Sequence, residues 1–536
     1  MTNNPWAWRT GAAIIALASA SGASAQSTAT ARIIDEGLNR SHVMLTASEL
    51  MDGIGGRMTN SPSLRRAEAW AIDKFQGYGL TNVHREAFEF GRGWEIVDSS
   101  VRMVEPRAVK MTAIPVAWTP PTNGVVRAPI VVAPISKPEH FAAWRGKLAG
   151  KIVLISLPGV TDEPKDATFE RLSDADLGKL DSYDLPRFDP EALARRMKRI
   201  AFAKQLDAFL KSEGAVAYLK RSYRDGMLVQ GEGSGYRVGE TPTMPGFELA
   251  AEDYRRLTRL AKTGAAPVVE LMSNVRFDDS DINAHNIIAD IAGSDPKSGY
   301  VMAGGHFDSW VAGDGASDNG AGSVVVIEAA RILKSLGVQP RRTIRFALWE
   351  GEEQGLIGSR AYIDQHLVSR PVPAGLGGSE AYVAWTSAFP ITPKPGYGAL
   401  KAYFNMDNGS GKLRGLYAEQ NSAAVPLLRE WLSPFADLDA SKVVISKTGG
   451  TDHVFMQAVG IQGYQFIQDP LDYESRVHHS NLDTLDHMRA DDLRQAAVVL
   501  AGVLLAAANS DKELPRPPIP TQPMATDPFK YQNPDE

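Results

Sequence analysis

The sequence of 536 residues contains no cysteine. Disulfide bonds, thiolate zinc sites, iron–sulfur clusters and a cysteine nucleophile are therefore excluded. Positive charge is not in excess either, because 57 Lys and Arg residues stand against 63 Asp and Glu residues, a formal net charge of −6. This balance argues against a protein that coats nucleic acid, so no nucleic-acid partner is expected.

The sequence also lacks a hydrophobic run long enough to span a bilayer, which takes about 20 residues. The apolar run Gly11–Ala20 is half that length, follows Arg9 and precedes the small residues Ala23–Ala25. A positive charge, an apolar run and small residues in this order are typical of a secretory signal peptide. We therefore expect residues 1–25 to be a signal peptide cleaved before Gln26, and the mature protein to be exported, either periplasmic or secreted.

From about residue 285 onward, strand and helix patterns alternate along the chain. Residues 285–291 and 343–349 have the character of strands, and residues 321–336 carry apolar side chains at helical spacing. Hydrophobic residues make up 43% of the chain and charged residues 22%, which excludes wholesale disorder. The alternation predicts an α/β domain built on a largely parallel sheet.

Five polar stretches stand out, and each begins where a predicted strand ends. Singly, each has an ordinary explanation, since lone histidines, Asp or Asn beside Gly, and paired glutamates are common in loops, turns and surfaces. Ligand sites in open α/β sheets, however, collect beyond the carboxyl ends of strands. The stretches are Gly304–Trp310, Gly313–Gly322, Trp349–Gly355, Asn405–Gly409 and His478–Thr484.

Two His, two Asp and one Glu from these stretches would make a metal site. Imidazole and carboxylate ligands suit divalent first-row metals such as zinc. Such a set holds two ions if one Asp bridges them, because ions roughly 3.5–4 Å apart need a shared carboxylate to offset their repulsion.

The spacing of these motifs resembles the co-catalytic di-zinc exopeptidases, a family that contains secreted bacterial aminopeptidases and glutamate carboxypeptidases. The resemblance implies the zinc exopeptidase fold, a central mixed, largely parallel sheet flanked by helices. It also implies two Zn²⁺ per subunit, a small peptide as substrate and a homodimer. The matching segments are Arg40–Met44, Ser61–Glu68, Phe90–Trp94, Gly304–Trp310, Trp349–Gly355 and His478–Thr484.

The family's metal ligands carry over to this chain by motif. The resemblance implies that His306 and Asp407 bind one zinc, that Glu353 and His479 bind the other, and that Asp318 bridges the two. The doubled histidine leaves the last ligand ambiguous, and the spacing of the motif favours His479. The resemblance further implies a cis peptide bond after the bridging aspartate, between residues 318 and 319.

The implied catalytic residues are Glu352 as general base, Asp308 as the group that orients the metal-binding His306, and His478. Several relatives have a tyrosine at the position of His478 that stabilises the oxyanion, and a histidine donor can do the same. Residues 451–453 stand where many relatives have Ser-Asp-His. Thr451, Asp452 and His453 are therefore candidates for substrate binding, either as a pocket wall or as residues behind the ligands.

The resemblance also divides the chain into parts. Residues 120–275 are expected to be an inserted, β-rich protease-associated domain that covers one side of the active site, with a strand entry at Leu148–Ile155. The peptidase domain is then formed by residues 26–119 and 276–512, and a proline-rich tail by residues 513–536, either extended or lying as a strap across the surface.

Taken together, the sequence predicts a zinc exopeptidase that acts on dipeptides or on the end residue of small peptides. One alternative is a glutaminyl-cyclase-like acyltransferase on the same scaffold, although those relatives work with one zinc. The other alternative is a catalytically inactive receptor or binding module. The presence of all six ligand and base residues argues against this alternative but does not prove activity.

Overall fold

The computed structural model of the protein describes residues 28–161, 167–183, 191–233, 242–264, 266–372, 376 and 384–522. The expected signal peptide lies outside these residues. Among the described residues, no helix has both the length and the apolar character that crossing a membrane requires.

The first of two large sheets is mixed and has eight strands in the order β1-β10-β12-β11-β15-β18-β16-β17. The four central strands β12, β11, β15 and β18 run parallel, whereas β1 and β10 are antiparallel at one edge and β16 is antiparallel to β18. The strand bounds are β1 (Thr81–Glu89), β10 (Asn283–Ile291), β11 (Tyr300–His306), β12 (Thr343–Trp349), β15 (Leu400–Asn405), β16 (Leu413–Tyr417), β17 (Lys442–Val444) and β18 (Gly463–Gln468).

Helices flank this sheet on both faces, as the predicted fold class requires. The bounds of the α-helices, of which α4, α6 and α7 pack in separate clusters away from this sheet, are α1 (28–39), α2 (Val43–Met51), α3 (Pro62–Gly77), α4 (Phe141–Trp144), α5 (Asp174–Lys179), α6 (Ala192–Ser212), α7 (Ala251–Ala261), α8 (Ala321–Ser335), α9 (Ile357–Tyr362), α10 (Val425–Leu432), α11 (His453–Gln457) and α12 (Ala490–Asn509).

Alternation along the strands divides the core into two layers. Val301 and Ala303 of β11 pack in the cluster that contains the apolar residues of α8 and α12. Met302, between them, packs on the opposite face with Tyr362 of α9 and Phe455 of α11. Because successive strand side chains point to opposite faces, a central strand needs apolar residues at nearly every position. The helix-flanked mixed sheet confirms the α/β fold class.

A second eight-stranded sheet has the order β3-β2-β9-β5-β6-β7-β8-β4, with β5, β6, β7 and β8 parallel to one another. It takes strands from both sides of residue 120, the expected start of the insertion. Its identification as a protease-associated domain stays a prediction. The strand bounds are β2 (Gly93–Glu105), β3 (Val109–Lys110), β4 (Ala113–Pro115), β5 (Val126–Val132), β6 (Ile152–Leu154), β7 (Ala217–Arg221), β8 (Gly246–Leu249) and β9 (Val268–Asp278); the short strands β13 (Val368–Ser369) and β14 (Thr392–Pro393) pair separately.

The described start of the proline-rich tail lies against the first sheet. Leu514 is buried, and its carbonyl accepts a hydrogen bond of 2.9 Å from the Gln462 side chain. The Arg516 guanidinium donates to the Tyr397 carbonyl at 3.0 Å. Backbone and side-chain hydrogen bonds of this kind hold the segment as a strap rather than as a free end.

The close packing of α12 leads to a testable prediction about one of its glycines. A Cβ added at Gly502 would lie 2.1 Å from Cζ of the buried Phe435 ring, whereas a Cβ at Gly178 in α5 would meet no atom within 4 Å. We expect Gly502→Ala to destabilise the protein by about 1–3 kcal/mol through overpacking. Gly178→Ala should be neutral or stabilising by up to about 1 kcal/mol. Denaturant midpoints of both variants check this, and equal midpoints would contradict it.

Candidate metal centre

Three of the five polar stretches lie at the carboxyl edge of the first sheet. His306 is the last residue of β11, Glu352 and Glu353 follow the end of the adjacent β12, and Asp407 comes two residues after β15. Because β12, β11 and β15 are neighbours and run parallel, their carboxyl ends open on the same edge. The sheet itself therefore brings these four side chains together.

The other two stretches reach the same place through loops. The stretch Gly313–Gly322 begins seven residues after β11 and leads into α8, and His478–Thr484 follows a helical turn at Tyr473–Val477 beyond β18. The expectation that every stretch begins at a strand end is wrong for these two, because each lies on a loop that returns over the sheet edge. The peptide bond between Asp318 and Asn319 is cis, as predicted.

The carboxylate of Asp318 lies between two imidazoles. Its Oδ1 is 3.1 Å from Nε2 of His306, and its Oδ2 is 3.0 Å from Nε2 of His479. Asp483 fixes the backbone here, since its two oxygens accept hydrogen bonds from the amides of Ser317 and Asp318 at 2.6 and 3.1 Å. One buried carboxylate therefore contacts both histidines, each through a different oxygen.

Each histidine also contacts a second carboxylate. His306 Nε2 is 3.5 Å from Oδ2 of Asp407, and His479 Nε2 is 2.9 Å from Oε2 of Glu353. Ligand atoms around a tetrahedral zinc with bonds of about 2.0 Å are about 3.3 Å apart, so these separations suit metal coordination. Two sets of donor atoms, each within 4.8 Å of one another, share Asp318, and they are His306, Asp318, Glu353 and Asp318, His478, His479.

Two polar atoms of the cluster have no hydrogen-bond partner and suit a cation. Within the described part of the chain, Oδ2 of Asp318 and Oε1 of Glu353 are buried and have no hydrogen-bond donor. A buried carboxylate oxygen without a donor is costly, and a divalent cation would satisfy it. The donor set of imidazoles and carboxylates fits zinc.

The cluster perturbs the protonation of its members. Burial raises the pKa of Glu353 to about 7 and that of Glu352 well above its ordinary range. Burial lowers the pKa of His479, but the carboxylates of Glu353 and Asp318 outweigh it and raise that pKa to about 12. The raised pKa values favour protonation of these side chains. A metal ion that binds to them should displace the protons.

Glu352 lies beside this cluster rather than within it. Its Oε2 is 3.9 Å from Nε2 of His306, farther than the nearest carboxylate oxygens of Asp318 and Asp407, and its side chain is 9% exposed. The backbone amides of Glu352 and Glu353 donate to Oδ1 and Oδ2 of Asp308, both at 3.3 Å. The Asp308 carboxylate thus fixes the backbone conformation of both glutamates.

Asp308 orients His306 in a different way from the one predicted. The Nδ1 atom of His306 is 3.0 Å from the backbone carbonyl of Asp308 and 3.7 Å from its carboxylate, which is too long for a hydrogen bond. The carboxylate instead accepts hydrogen bonds from the glutamate loop and, at 2.8 Å, from the Thr59 hydroxyl. The predicted residue is in place, but its main chain contacts the histidine.

His478 stacks on His479 with ring centroids 3.7 Å apart. Its Nε2 is 3.6 Å from Oδ2 of Asp318, whereas His479 reaches two carboxylates at 3.0 Å or less. This geometry favours His479 over His478 as a metal ligand. Burial lowers the pKa of His478, so its imidazole is neutral at pH 7.

Residues 451–453 are fully buried. Thr451 accepts a hydrogen bond of 2.9 Å from Asn405 at the end of β15, and Nε2 of His453 lies 2.9 Å from the Thr448 hydroxyl. Burial raises the pKa of Asp452 to about 7. These contacts favour a position behind the ligands over a pocket wall that touches substrate.

Sequence reasoning missed Arg57, which is completely buried beneath the cluster. Its guanidinium donates to the carbonyls of Phe307, Asp314 and Gly315 at 2.9, 2.7 and 2.8 Å. The arginine thereby joins the loop after β11 to the turn before Asp318. These three carbonyls lie about 250 residues away in the sequence, so no local motif marks the arginine.

Comparisons with known proteins agree with this geometry. The sequence model described as Peptidase family M28 matches residues 286–504. Carboxypeptidase Q from Mus musculus is 27% identical over 482 residues, 89% of this chain and 87% of that protein. The human protein of the same name is also 27% identical, with the same coverage of both chains.

Two solved structures share the fold. A peptidase M28 precursor from Shewanella amazonensis superposes with a TM-score of 0.64 at 22% identity, covering 92% of this chain and 99% of its own. BSAP, a zinc aminopeptidase from Bacillus subtilis, gives a TM-score of 0.54 at 21% identity, covering 88% and 95%. The coverage includes both large sheets.

The buried Arg57 yields a prediction about site assembly. Arg57→Met leaves several buried carbonyls without a donor and should destabilise the protein by about 3–5 kcal/mol, with loss of bound metal. Arg32→Met is the matched control, because the Arg32 guanidinium is exposed and donates to one carbonyl at 3.1 Å. Denaturant titration and metal content check this. Equal midpoints for the two variants would contradict it.

Proposed function

We propose that the chain is a zinc-dependent metallo-exopeptidase of peptidase family M28 that hydrolyses dipeptides or the terminal residue of small peptides with two Zn²⁺ per subunit. The observation that carries this proposal is the Asp318 carboxylate, whose two oxygens lie at 3.1 and 3.0 Å from imidazoles of different loops. A carboxylate in this position can bridge two cations.

The ligands divide into two sets in this proposal. His306 and Asp407 would hold one ion, Glu353 and His479 would hold the other, and the two would share Asp318. When bound, the two zinc ions supply Lewis acidity, lowering the pKa of water and polarising the peptide carbonyl. The buried, donor-free oxygens of Asp318 and Glu353 support this assignment.

Glu352 is the proposed general base. Its carboxylate lies at the edge of the cluster, and burial raises its pKa, which increases its affinity for a proton. It accepts a proton from the attacking water as the oxygen adds to the peptide carbonyl carbon. The same proton then passes to the leaving amine as the C–N bond breaks, so Glu352 ends each cycle as it began.

His478 is placed to assist the carbonyl oxygen. Its ring is held by stacking on His479 and by Tyr473, whose ring centroid is 4.8 Å away. A neutral imidazole can donate one N–H to the negative charge that develops on that oxygen. Export of the mature protein and its homodimeric state stay predictions.

Single substitutions of the two adjacent glutamates distinguish the general base from the metal ligand. Glu352→Gln should lower the rate of peptide hydrolysis by roughly 10²–10⁴, the usual cost of losing a general base, while zinc content stays near that of the wild type. Glu353→Gln should lose zinc as well as activity, because it removes a ligand. Dipeptide hydrolysis and zinc content by mass spectrometry decide the roles. Substantial turnover by Glu352→Gln would exclude it as the base.

Metal stoichiometry tests the bridging carboxylate. We expect two zinc ions per chain in the wild type, loss of hydrolysis with a chelator, and fewer than one ion with a lowered melting temperature in Asp318→Ala. Asp314→Asn, four residues away, is the control and should keep both ions. A single tightly held zinc with glutaminyl cyclisation would favour the acyltransferase, and two ions without any hydrolysis would favour a binding module.

A further inference from the structure

One fully buried glutamate takes no part in the candidate metal centre. Glu350 is the first residue after β12, two residues before Glu352 and three before Glu353, and it has no exposed surface. Its Oε2 accepts a hydrogen bond of 2.9 Å from the backbone amide of His285 in β10. Its Oε1 is buried and has no hydrogen-bond donor within the described part of the chain. A negative charge on this side chain would therefore be costly.

The group that faces Glu350 is a second buried carboxylate, Glu68 of α3. Glu68 is 1% exposed, and the two carboxyl groups lie within hydrogen-bonding reach of each other. Glu68 has two cationic donors, since Nη1 of Arg65 is 2.7 Å from its Oε1 and Nε of Arg85 is 2.7 Å from its Oε2. Charge-assisted donors stabilise the ionised form of an acid. One proton shared by the pair therefore belongs on Glu350.

The other titratable groups around the pair agree with this assignment. His285 Nδ1 is 3.6 Å from Oε2 of Glu68, and Nε2 of the same ring is 3.7 Å from the half-buried Asp281. Burial and the charge of Glu68 raise the pKa of Glu350 well above its ordinary range, although the His285 amide and Arg65 oppose the shift. A neutral Glu350 can donate its O–H to Glu68, and no two negative charges are then in contact.

The backbone of Glu350 fixes the start of the loop that carries the two functional glutamates. Its amide donates to Oδ1 of Asn286 in β10 at 3.3 Å, and its carbonyl accepts a hydrogen bond of 2.9 Å from the Gly358 amide in α9. With its side chain, Glu350 thus contacts β10, α9 and α3. Two like charges at the contact with α3 would push the helix and the loop apart, because Coulomb repulsion is strong in a buried site.

We propose that Glu350 is a positioning residue, a neutral acid whose hydrogen bond to Glu68 holds the loop of Glu352 and Glu353 in place. The inference rests on the proposed function, in which Glu352 is the base. Loss of the shared proton at high pH puts two negative charges in contact and loosens the loop. Glu350 acts through the position of its neighbours and does not itself touch the substrate.

The first test compares Glu350 with a buried glutamate that has its own donors. Glu328 in α8 is fully buried and accepts hydrogen bonds of 2.9 Å from the Ser41 hydroxyl and the His42 amide. Arg331 donates two more, at 2.9 and 3.0 Å. Glu328 is therefore stabilised as a carboxylate, and Glu328→Gln should lower the melting temperature of the zinc-loaded chain at pH 5 and at pH 8.

Glu350→Gln should have the opposite effect. The folded pKa of Glu350 lies above that of the unfolded chain, so its stabilising contribution is present below the unfolded pKa and is lost as pH rises. The uncharged amide has no such loss. We expect Glu350→Gln to raise the melting temperature above that of the wild type by roughly 2–5 °C at pH 8, and by less at pH 5.

The second test follows dipeptide hydrolysis by the zinc-loaded, full-length chain from pH 6 to pH 10. Glu350→Gln should change kcat/KM at pH 7 by less than about threefold, because its amide still donates to Glu68 and accepts from the His285 amide. Its activity should extend to higher pH than that of the wild type. Glu350→Met keeps the size without the hydrogen bonds and should lower kcat/KM by about 10- to 100-fold, as for other residues that orient metal ligands.

Each outcome decides one claim. A lower melting temperature of Glu350→Gln at pH 8, or an activity profile with the alkaline limit of the wild type, would overturn the shared proton and leave the proposed function standing. Wild-type activity in Glu350→Met would overturn the positioning role. Absence of dipeptide hydrolysis in the zinc-loaded wild type would overturn the proposed function, and the melting temperatures would still test the shared proton.

Discussion

The rest of the site depends on a single buried carboxylate that faces two imidazoles. Asp318 can do so because Asp483 fixes its backbone and Arg57 ties the preceding turn to the loop after β11. Several carboxylates buried within a few ångströms of one another repel, and burial, together with the charge of Asp318, raises the pKa of Glu353 to about 7 even though His479 opposes the shift. The arrangement is electrostatically unfavourable unless cations or protons occupy it, which makes metal binding part of the free energy of folding.

Much of the fold could be predicted because local patterns are strong where strands are central. Strand Thr343–Trp349 was predicted to the residue, and α3 begins at Pro62 after the Ser61 cap, which accepts a hydrogen bond from the Leu64 amide. The parallel direction of the central strands follows from the alternation of strands and helices, but the order of the strands could not be predicted, since period-two alternation specifies a strand but not its neighbour. For the same reason the strands of Gly93–Pro115 could not be assigned to the second sheet from sequence.

In the candidate site, too, some residues could be predicted from the sequence and others could not. Side chains with metal-binding chemistry can be recognised by type and spacing, and the structure brings His306, Asp318, Glu353, Asp407 and His479 together. Residues that act through the backbone leave no such signal. Arg57 donates to carbonyls, Arg224 contacts the carbonyl of His478, and Asp308 orients His306 through its own carbonyl. Any residue can supply a backbone acceptor, so only the folded chain identifies these pairs.

The loop that follows β18 and carries His479 is contacted by two segments of the chain, and both are connected to the second sheet. On one side the Asn481 backbone pairs with Val229. On the other, segment 167–183 pairs with the loop through Glu170 and Leu471, whose backbones exchange two hydrogen bonds of 2.8 Å, and Arg171 bonds the buried Asp469 at 3.0 Å. A salt bridge to a buried carboxylate is costly to break. The hydrogen bonds between Val229 and Asn481 therefore link the second sheet to the loop that carries His479.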